Sequence, residues 1–492
     1  MAQILEDAFV KLDVPLGDEI IRLSALDQQA QRNYAKLLVV FELDKKHRTE
    51  DVVKHLKHGL SVALSETPDF ASTVAPLPGS KRKELELRLA PESGVAFRVV
   101  DHGILEPSNR ETTPSPLASS TYAELSAAGF PVAHLPSDVL FLPEETCEHA
   151  RPEGIPATRI QANIIDGGLI IAFSWHHTVC DARGVTNFFN SWARHTKTSL
   201  AQGPTHAVPV PPVEEALERW RLEYGIPEAD VSQLVDYTVD PALRSPLNPV
   251  SAHLLDRNDP VAATATFSTW YFSSTSLKSL RSLLAESAVE DSSSFTQSEA
   301  VSALIWKHLS IARSLHKDAA PDATSLFSTR IDFRGRAKPA FHEDFVGNIN
   351  EPNARTRVAL QEVCGPSTPE SLATLASAIS KAVGGLGEDD FRTFVGVVNG
   401  LPAVTDLCWD YNTYPGPDLA VTDMSGTDLL RQDWGGLGHP TCARTSSREK
   451  GLVYVLPQDR DGGFEVQLQT EMEAVEKLKA DDMFRRFAEF RC

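Results

Sequence analysis

Two adjacent histidines, an aspartate and a glycine follow one another in the segment His176-His177-Thr-Val-Cys-Asp181-Ala-Arg-Gly184. An imidazole with a pKa near neutrality can take a proton from a hydroxyl group and return it to a leaving group. Asp181 could orient the imidazole or hold the loop by pairing with an arginine, and Gly184 would allow a tight turn into a helix. These residue types at this spacing point to acid–base catalysis.

The alternative without chemistry is a pair of partly buried histidines with Asp181 as the N-cap of a helix. Because the chain has 15 histidines in 492 residues, about 0.5 adjacent pairs are expected by chance, and an acid and a glycine at these offsets reduce that to roughly a few in a thousand. Coincidence is therefore a poor explanation. No further cluster of His, Cys and Asp has the spacing of a metal site, so no metal is expected.

The histidines lie between a predicted strand and a predicted helix. Arg159 to Ile165 and Leu169 to Trp175 are apolar runs on either side of Asp166-Gly-Gly, which predicts a β-hairpin. The next segment predicts a helix, because its apolar residues share one face: Val185, Phe188, Phe189 and Trp192. A connection of this kind can present a side chain to a cleft while the scaffold holds it still.

A second predicted hairpin late in the chain has the same form. It runs from Leu452 to Pro457, turns at Asp461-Gly-Gly, and returns from Phe464 to Thr470. The two hairpins fit two lobes of similar build, each an α/β sandwich around a sheet.

Other segments predict the remaining organisation. A buried strand is expected from Leu37, an amphipathic helix over Glu50 to Glu66, and a helix that begins with a capping box at Thr296 to Glu299. The run from Glu106 to Thr121 is rich in Pro, Ser and Thr and predicts a loop.

The composition restricts the class of protein. With 492 residues, 42% hydrophobic and 23% charged, the chain is typical of a globular protein with more than one domain. Its net charge of -20 argues against nucleic acid and anionic membrane surfaces as partners. No stretch is long and apolar enough to span a membrane, and six cysteines without a C-x-x-C pair indicate no disulfide framework. Because no secretory signal is visible, a cytoplasmic location is expected.

The histidine segment resembles a family signature. His176-His177-x3-Asp181-x2-Gly184 is similar to the HxxxD signature of the BAHD acyltransferases, in the extended form HHxxxDxxG. Two other stretches resemble further elements of that family, namely Ser24-Ala-Leu-Asp27, and Ile331-Asp332-Phe-Arg334-Gly-Arg336 followed by Pro339 and Gly347-Asn348. The fungal branch that includes trichothecene acetyltransferase-like enzymes is the most similar in style.

The second hallmark of the family, D-F-G-W-G-x-P, has an imperfect counterpart. The corresponding stretch is Asp433-Trp434-Gly435-Gly436-Leu-Gly438-His439-Pro440, followed by Arg444. Trp434 replaces the phenylalanine, the hallmark tryptophan is missing and one residue is inserted. In the family this motif is mainly structural and lies away from the catalytic histidine. The resemblance therefore implies a structural role for Asp433, Gly435 and Gly438, as for Gly184.

The resemblance also implies a fold. It is an α/β fold of two chloramphenicol-acetyltransferase-like lobes, each a mixed sheet with flanking helices, joined by a crossover. We place the lobes at residues 1–203 and 262–492 and the crossover at residues 204–261. Prolines at 204, 209, 211 and 212 fit that position, because they cannot continue a helix or a central strand.

The implied activity is transfer of an acyl group, expected to be acetyl, from acyl-CoA to a hydroxyl group of a hydrophobic secondary metabolite. His177 would be the general base, midway along a channel between the lobes, and Asp181 would pair with Arg334. Four residues near these elements are assigned to substrate binding, with a possible oxyanion donor among the last two: Trp175, His176, Thr422 and Ser425.

Acyl-CoA is expected as a cosubstrate, with no tightly bound cofactor, and a small-molecule alcohol or amine as acceptor. Because CoA is anionic, the channel mouth needs cations within an acidic protein. Arg334, Arg336, Lys338 and Arg444 are assigned to this role, with Arg330, Arg448 and Lys450 as further candidates. The protein is expected to act as a monomer.

Three alternatives stay open on the sequence. A condensation-type catalyst would use carrier-protein thioesters, but such domains favour HHxxxDG, whereas Ala182 and Arg183 intervene here before Gly184. A catalytically silent binding protein would not need the intact His177. Cys180 lies inside the motif and could carry a covalent acyl group, but nothing in the sequence marks it as activated.

Overall fold

The computed structural model of the protein describes residues 2–44, 48–102, 117, 120–143, 152–211, 214–239, 265–288, 294–317, 319–446 and 451–492. Two large mixed sheets dominate the architecture, and helices pack against each of them. This arrangement confirms the predicted α/β fold of two similar lobes.

The strands are β1 (Gln3–Lys11), β2 (Glu19–Arg22), β3 (Tyr34–Glu42), β4 (Thr73–Pro76), β5 (Leu85–Leu89), β6 (Gly94–Asp101), β7 (Ile155–Pro156), β8 (Thr158–Ile165), β9 (Gly168–His176), β10 (Tyr237–Val239), β11 (Ala265–Phe272), β12 (Thr324–Thr329), β13 (Ala354–Ala359), β14 (Leu407–Trp409), β15 (Leu419–Asp423), β16 (Cys442–Thr445), β17 (Leu452–Val455), β18 (Phe464–Glu471) and β19 (Glu489–Phe490). The α-helices are α1 (Ala25–Gln29), α2 (Thr49–Glu66), α3 (Tyr122–Ala127), α4 (Ser137–Leu140), α5 (Ala182–Gln202), α6 (Ser274–Ser287), α7 (Gln297–Ala312), α8 (Leu360–Val363), α9 (Pro369–Gly385), α10 (Glu388–Gly400), α11 (Met472–Ala480) and α12 (Asp482–Arg485).

The first large sheet has the strand order β1-β6-β8-β9-β3-β16. Strands β8 and β9 form the predicted hairpin around the Asp166-Gly-Gly turn, and both strands are buried on both faces. Helices α2 and α5 pack against the sheet through side chains such as Leu56, Leu60, Phe188 and Trp192, all fully buried. The central position of β9 therefore gives the segment that follows it a rigid support.

The second large sheet has the order β13-β12-β15-β17-β18-β11-β19. The predicted late hairpin is present as the antiparallel pair β17 and β18. Helices α6, α7, α9 and α11 cover one face of this sheet through an apolar cluster. Two smaller sheets have the orders β2-β5-β4-β7 and β10-β14.

The helices follow the predicted signals closely. Helix α2 begins one residue before the predicted start at Glu50 and ends at Glu66, just before Pro68. In α7 the capping box is present, because Thr296 and Glu299 each accept a hydrogen bond from the backbone N–H of the other. This helix ends at Ala312.

The segment predicted as the crossover between the lobes contains secondary structure. Its described residues form short 3-10 helices, Pro204–His206, Glu214–Leu217, Arg219–Glu223 and Val231–Gln233, and strand β10. The rest of the predicted crossover, and residues 106–116, 118 and 119 of the predicted loop, lie outside the described residues. The lobe boundaries stay a prediction, and strand β16 of the C-terminal part lies in the first sheet beside β3.

Across the described ranges, no helix has both the length and the apolar composition to cross a membrane.

Candidate active site

The two histidines lie where β9 ends. The backbone N–H of His176 donates to Ala157 O at 2.8 Å, and that of His177 donates to Asn33 O at 3.0 Å. The backbone of each histidine is therefore held by a different neighbouring segment of the same chain. Helix α5 begins six residues after His176 and has Asp181 as its N-cap. Sequence and structure agree on a strand-to-helix connection.

His177 lies in the wall of a cavity between the two lobes and is half-buried. Burial lowers the pKa of its imidazole from 6.5 to about 4, and the positive charge of Arg330 lowers it further. The carbonyl of His177, the carboxylate of Asp181 and the side chain of Asn348 act in the opposite direction. The imidazole is therefore neutral at pH 7 and can accept a proton.

His176 points elsewhere, so its assignment to substrate binding is wrong. Its side chain is 1% exposed, its Nδ1 lies 2.7 Å from Thr178 Oγ1, and its ring packs edge-on against Tyr34 with 5.7 Å between the centroids. Successive residues of an extended strand point to opposite faces, so the two histidines cannot both face the cavity. His176 belongs to the packing of the strand end.

Asp181 forms the predicted pair with Arg334. The guanidinium Nη1 and Nη2 lie 3.0 Å and 2.9 Å from the two carboxylate oxygens, and both side chains are buried. Asp181 also accepts from the backbone N–H of Gly184 at 3.0 Å and of Ile349 at 3.1 Å. Burial alone would raise its pKa, but Arg334 and these donors hold the pKa below its ordinary value. Asp181 is thus both a helix cap and half of a buried ion pair.

Gly184 is required for a different reason from the predicted one. It lies in the first turn of α5 and forms no tight turn. A Cβ atom at this position would lie 2.6 Å from Cys180 Cβ, well inside the contact distance of two carbon atoms. Glycine therefore lets the helix start pack directly on the loop that contains His177.

The cavity has a volume of about 330 Å³ and is lined by both lobes. The first lobe contributes Tyr34 and Lys36 from β3 and also Trp175, which is 6% exposed and donates from its indole nitrogen to Cys180 O at 3.2 Å. The second lobe contributes two stacked rings, Trp409 and Tyr411, with centroids 5.6 Å apart. The wall of the cavity is thus largely apolar and aromatic.

Of the two predicted oxyanion donors, the structure brings only Thr422 to the cavity. Thr422 lies near the end of β15 and is half-buried in the wall. The wall also includes Asp423, Met424, Gly426 and Thr427 but not Ser425, whose backbone N–H donates to Asp423 Oδ1 at 2.8 Å. Ser425 shapes the turn and does not face the cavity.

Two of the four predicted CoA-binding cations are unsuitable. Arg334 is committed to Asp181, as described above. Arg444 lies in β16 with 1% exposure, and its guanidinium donates to Glu465 Oε2 at 2.5 Å and to three backbone carbonyls. Both guanidiniums are buried with their own partners, so they are not available to a phosphate, and these assignments are wrong.

Arg336 and Lys338 remain candidates for binding the CoA phosphates. Arg336 is half-buried, and its Nη1 donates to Val383 O at 2.6 Å and Leu386 O at 2.8 Å. Lys338 is exposed. Arg330 lines the cavity, where it pairs with Glu351 at 2.9 Å and lies 4.9 Å from the centre of the Trp409 ring. Arg448 and Lys450 lie outside the described residues.

The glycine-rich element around Asp433 is structural in character. Asp433 accepts from Lys197 Nζ at 2.7 Å and from the backbone N–H of Gly435 at 2.8 Å, while Gly435 and Gly438 have φ angles of 69° and 71°. Trp434 is fully buried and packs edge-on against Phe41 and Trp192. The element contacts α5 through the Lys197–Asp433 pair and the packing of Trp434 on Trp192. None of its residues lines the cavity.

Cys180 is unsuited to covalent catalysis. Its side chain is fully buried, and burial raises the pKa of the thiol well above its usual range. The thiolate, which is the nucleophilic form, is therefore disfavoured.

Sequence reasoning missed a buried network beneath His177. Asn348 donates from Nδ2 to His177 O and to Asp27 Oδ1, both at 3.0 Å. Arg219, in the segment predicted as the crossover, donates to Asp27 and Asp69, at 2.5 Å and 2.7 Å. Asp27 and Asn348 occur in the stretches that resemble family elements, but no spacing rule joins residues more than 300 positions apart.

Family models and named relatives both identify this chain with acyltransferases. Residues 139–484 match the family described as Transferase family, and residues 33–194 match the Trichothecene 3-O-acetyltransferase-like N-terminal domain. Acyltransferase cm3D of Cordyceps militaris is 54% identical over 490 residues, which cover 99% of this chain and 100% of the relative. Acyltransferase easC of Emericella nidulans is 51% identical over 488 residues, which cover 99% and 98%.

Solved structures show the same fold. TRI101 of F. graminearum, complexed with ethyl coenzyme A, is similar with a TM-score of 0.75 at 16% identity, over 96% of this chain and 100% of that one. Vinorine synthase is similar with a TM-score of 0.64 at 15% identity, over 99% of both chains. The chain thus belongs to the transferase family of BAHD acyltransferases and is an acyltransferase.

Proposed function

We propose that the protein transfers an acyl group, with acetyl as the first candidate, from acyl-CoA to a hydroxyl group of a hydrophobic secondary metabolite. The single observation that carries the proposal is the neutral imidazole of His177 in the wall of an apolar cavity between the lobes. A neutral imidazole at this place can act as a general base toward a bound alcohol.

The chemical step needs no acyl-enzyme. Nδ1 of His177 is buried, so Nε2 is the ring nitrogen left to meet the acceptor. Nε2 takes the hydroxyl proton while the acceptor oxygen attacks the thioester carbonyl. When the resulting tetrahedral intermediate collapses, the carbon–sulfur bond breaks and the imidazolium returns the proton to the CoA sulfur. The products are an ester and free CoA thiol.

The tetrahedral intermediate bears a negative oxygen that needs a donor. Thr422 is our candidate, because its side chain lies in the wall of the same cavity as His177, on the opposite lobe.

The character of the cavity supports a hydrophobic acceptor. Its wall includes Trp175, Trp409, Tyr411 and Leu452, and its volume of about 330 Å³ is within the range of small-molecule sites, roughly 300–1,000 Å³. The use of acyl-CoA is supported by the ethyl coenzyme A bound to TRI101, which has the same fold. Arg336 and Lys338 are our candidates for the CoA phosphates.

The test is a survey of substrates by thiol release. The protein is incubated with acetyl-, malonyl- and longer acyl-CoAs, each with and without a panel of apolar alcohols, and free CoA thiol is followed over time. We expect release that depends on an alcohol and a matching ester by mass spectrometry. Ester formation only from a carrier-protein thioester, with every acyl-CoA inert, would contradict the proposal.

A further inference from the structure

Ser367, His308 and Asp481 are joined by two hydrogen bonds in the second lobe. His308 Nε2 lies 2.9 Å from Ser367 Oγ, and His308 Nδ1 lies 2.6 Å from Asp481 Oδ2. None of the three residues lines the cavity that contains His177. A serine hydroxyl, an imidazole and a carboxylate linked in this order are the parts of an activated serine nucleophile.

The imidazole of His308 has a fixed tautomer and orientation. A carboxylate only accepts, so Nδ1 carries the hydrogen that Asp481 receives, and Nε2 accepts from the Ser367 hydroxyl. Asp481 is held in turn, because its Oδ1 accepts from the backbone N–H of Phe484 at 3.0 Å. The ring of Phe484 also packs on His308, with 5.8 Å between the centroids. Nε2 is therefore directed at the hydroxyl as a base.

The serine is accessible from the surface, whereas its base is not. His308 lies in α7 with 0% exposure. Ser367 is half-buried in the loop before α9, between the exposed residues Pro366 and Thr368. Helix α9 begins at Pro369, and the positive end of its dipole favours a negative oxygen that forms at Ser367.

A neighbouring serine shows how a structural hydroxyl is used in the same region. Ser371, in the first turn of α9, donates to Pro366 O and to Thr368 O at 2.9 Å, and its Oγ accepts from the backbone N–H of Thr368 at 3.1 Å. Its hydroxyl therefore caps the helix start. Ser367 instead meets an imidazole that a carboxylate orients, an arrangement that helix capping does not require.

We propose that Ser367 is a second nucleophilic site, with His308 as its base and Asp481 as the group that orients the base, and that this site hydrolyses small uncharged carboxylic esters. The hydroxyl oxygen attacks the ester carbonyl while its proton passes to His308 Nε2. The tetrahedral intermediate then breaks its bond to the alkoxy oxygen, which leaves as the alcohol with the proton from His308. Water attacks the acyl-serine with the same imidazole as base, and the products are the carboxylic acid and the free hydroxyl.

The surroundings of Ser367 determine the class of ester. The hydroxyl lies at the surface, so it can meet a small acyl group without a deep binding site. Glu362 and Glu370 flank Ser367 in the sequence and are exposed, and the side chain of Asp482, next to Asp481, is 100% exposed. Because like charges repel, the site disfavours the anionic CoA thioesters. The second site therefore differs from the cavity of His177 in its substrate as well as in its position.

Covalent labelling is the direct test. The wild-type protein is treated with a fluorophosphonate, which reacts with activated serines, and the labelled residue is located by mass spectrometry of peptides. We expect phosphonylated Ser367, no label at this position in Ser367→Ala, and labelling at least about 10²-fold slower in His308→Gln. Ser371→Ala is the matched control and should be labelled like the wild type, because the Ser371 hydroxyl bonds to backbone groups. A wild-type Ser367 that stays unlabelled would overturn the inference without any variant having to fold.

Hydrolysis of p-nitrophenyl acetate without CoA gives the second readout. We expect Ser367→Ala to lower the rate at least about tenfold, and acetyl-CoA to leave no acetyl group on Ser367. Hydrolysis that disappears in folded His177→Gln but persists in Ser367→Ala would place the reaction in the cavity and reject the second site. Acetylation of Ser367 by acetyl-CoA would instead overturn the assigned class of substrate.

Discussion

Arg334 donates from both Nη atoms to the carboxylate of Asp181, at 3.0 Å and 2.9 Å. This pair joins the second lobe to the loop that contains His177. The same guanidinium donates to the backbone oxygens of Phe345 and Gly347. Asn348 and Ile349, which follow, bond to His177 O and to Asp181. The histidine therefore occupies a loop that is fixed from both lobes, which is the preorganisation that acid–base catalysis requires.

Removal of Asp181 should damage the fold as much as the reaction. Asp181→Ala leaves Arg334 as a buried charge without its main partner, so we expect the free energy of unfolding to fall by about 3–5 kcal/mol. Urea unfolding followed by tryptophan fluorescence measures this change. The double variant Asp181→Ala/Arg334→Met should be less destabilised than the single variant. Equal or greater loss in the double variant would show that the buried charge is not the cause.

Asp332 provides the matched control. It also contacts Arg334, at 3.0 Å, but its side chain is 43% exposed. Asp332→Ala should therefore change the free energy of unfolding by no more than about 1 kcal/mol.

Gly184→Ala should destabilise the protein through a steric clash. The new Cβ would lie 2.6 Å from Cys180 Cβ, so the start of α5 must move and we expect a loss of about 1–3 kcal/mol. Gly384→Ala in α9 is the control, since a Cβ there meets no atom within 4 Å. The midpoint of thermal unfolding should fall clearly more in Gly184→Ala than in Gly384→Ala. Equal shifts of the midpoint in the two variants would contradict the steric explanation.

Cys180→Ala should remain active. The thiol is fully buried with a raised pKa, so it is neither accessible to a thioester nor ionised. We expect kcat to stay within about threefold of the wild type, because loss of a nucleophile would cost far more. Single-turnover mass spectrometry of the wild type should likewise find no acyl group on the protein. An acylated Cys180 would establish a two-step mechanism.

Much of this arrangement could be predicted from the sequence. Local signals located both hairpins, the start of α7 and the helix after the histidines, because turn and cap residues act within a few positions of themselves. The pairing of Asp181 with Arg334 came from the family resemblance. Arg444 is a candidate for CoA on the sequence because the anionic cosubstrate needs cations, whereas pairing of the short strand β16 with β3 buries this arginine. Asp27, Arg219 and Asn348 meet only through the tertiary fold.

The pH dependence of the reaction follows from the pKa of His177. Its value of about 4 lies below the ordinary 6.5, so the neutral base persists as pH falls and is lost only near pH 4. We expect kcat/KM to be nearly flat between about pH 5 and pH 8, whereas a base of ordinary pKa would be only about 3% neutral at pH 5. Stopped thiol assays with circular dichroism at each pH check this. A half-maximal rate near pH 6.5 would contradict the burial of the base.

The central claim is tested most directly by comparing the two adjacent histidines. Thiol release from acyl-CoA in the presence of a productive alcohol is measured for His177→Gln and His176→Gln, per mole of folded protein. We expect His177→Gln to lose at least about 10²-fold in kcat/KM, and His176→Gln to lose little beyond its effect on folding. Wild-type turnover in a folded His177→Gln protein would contradict the assignment of His177 as the general base.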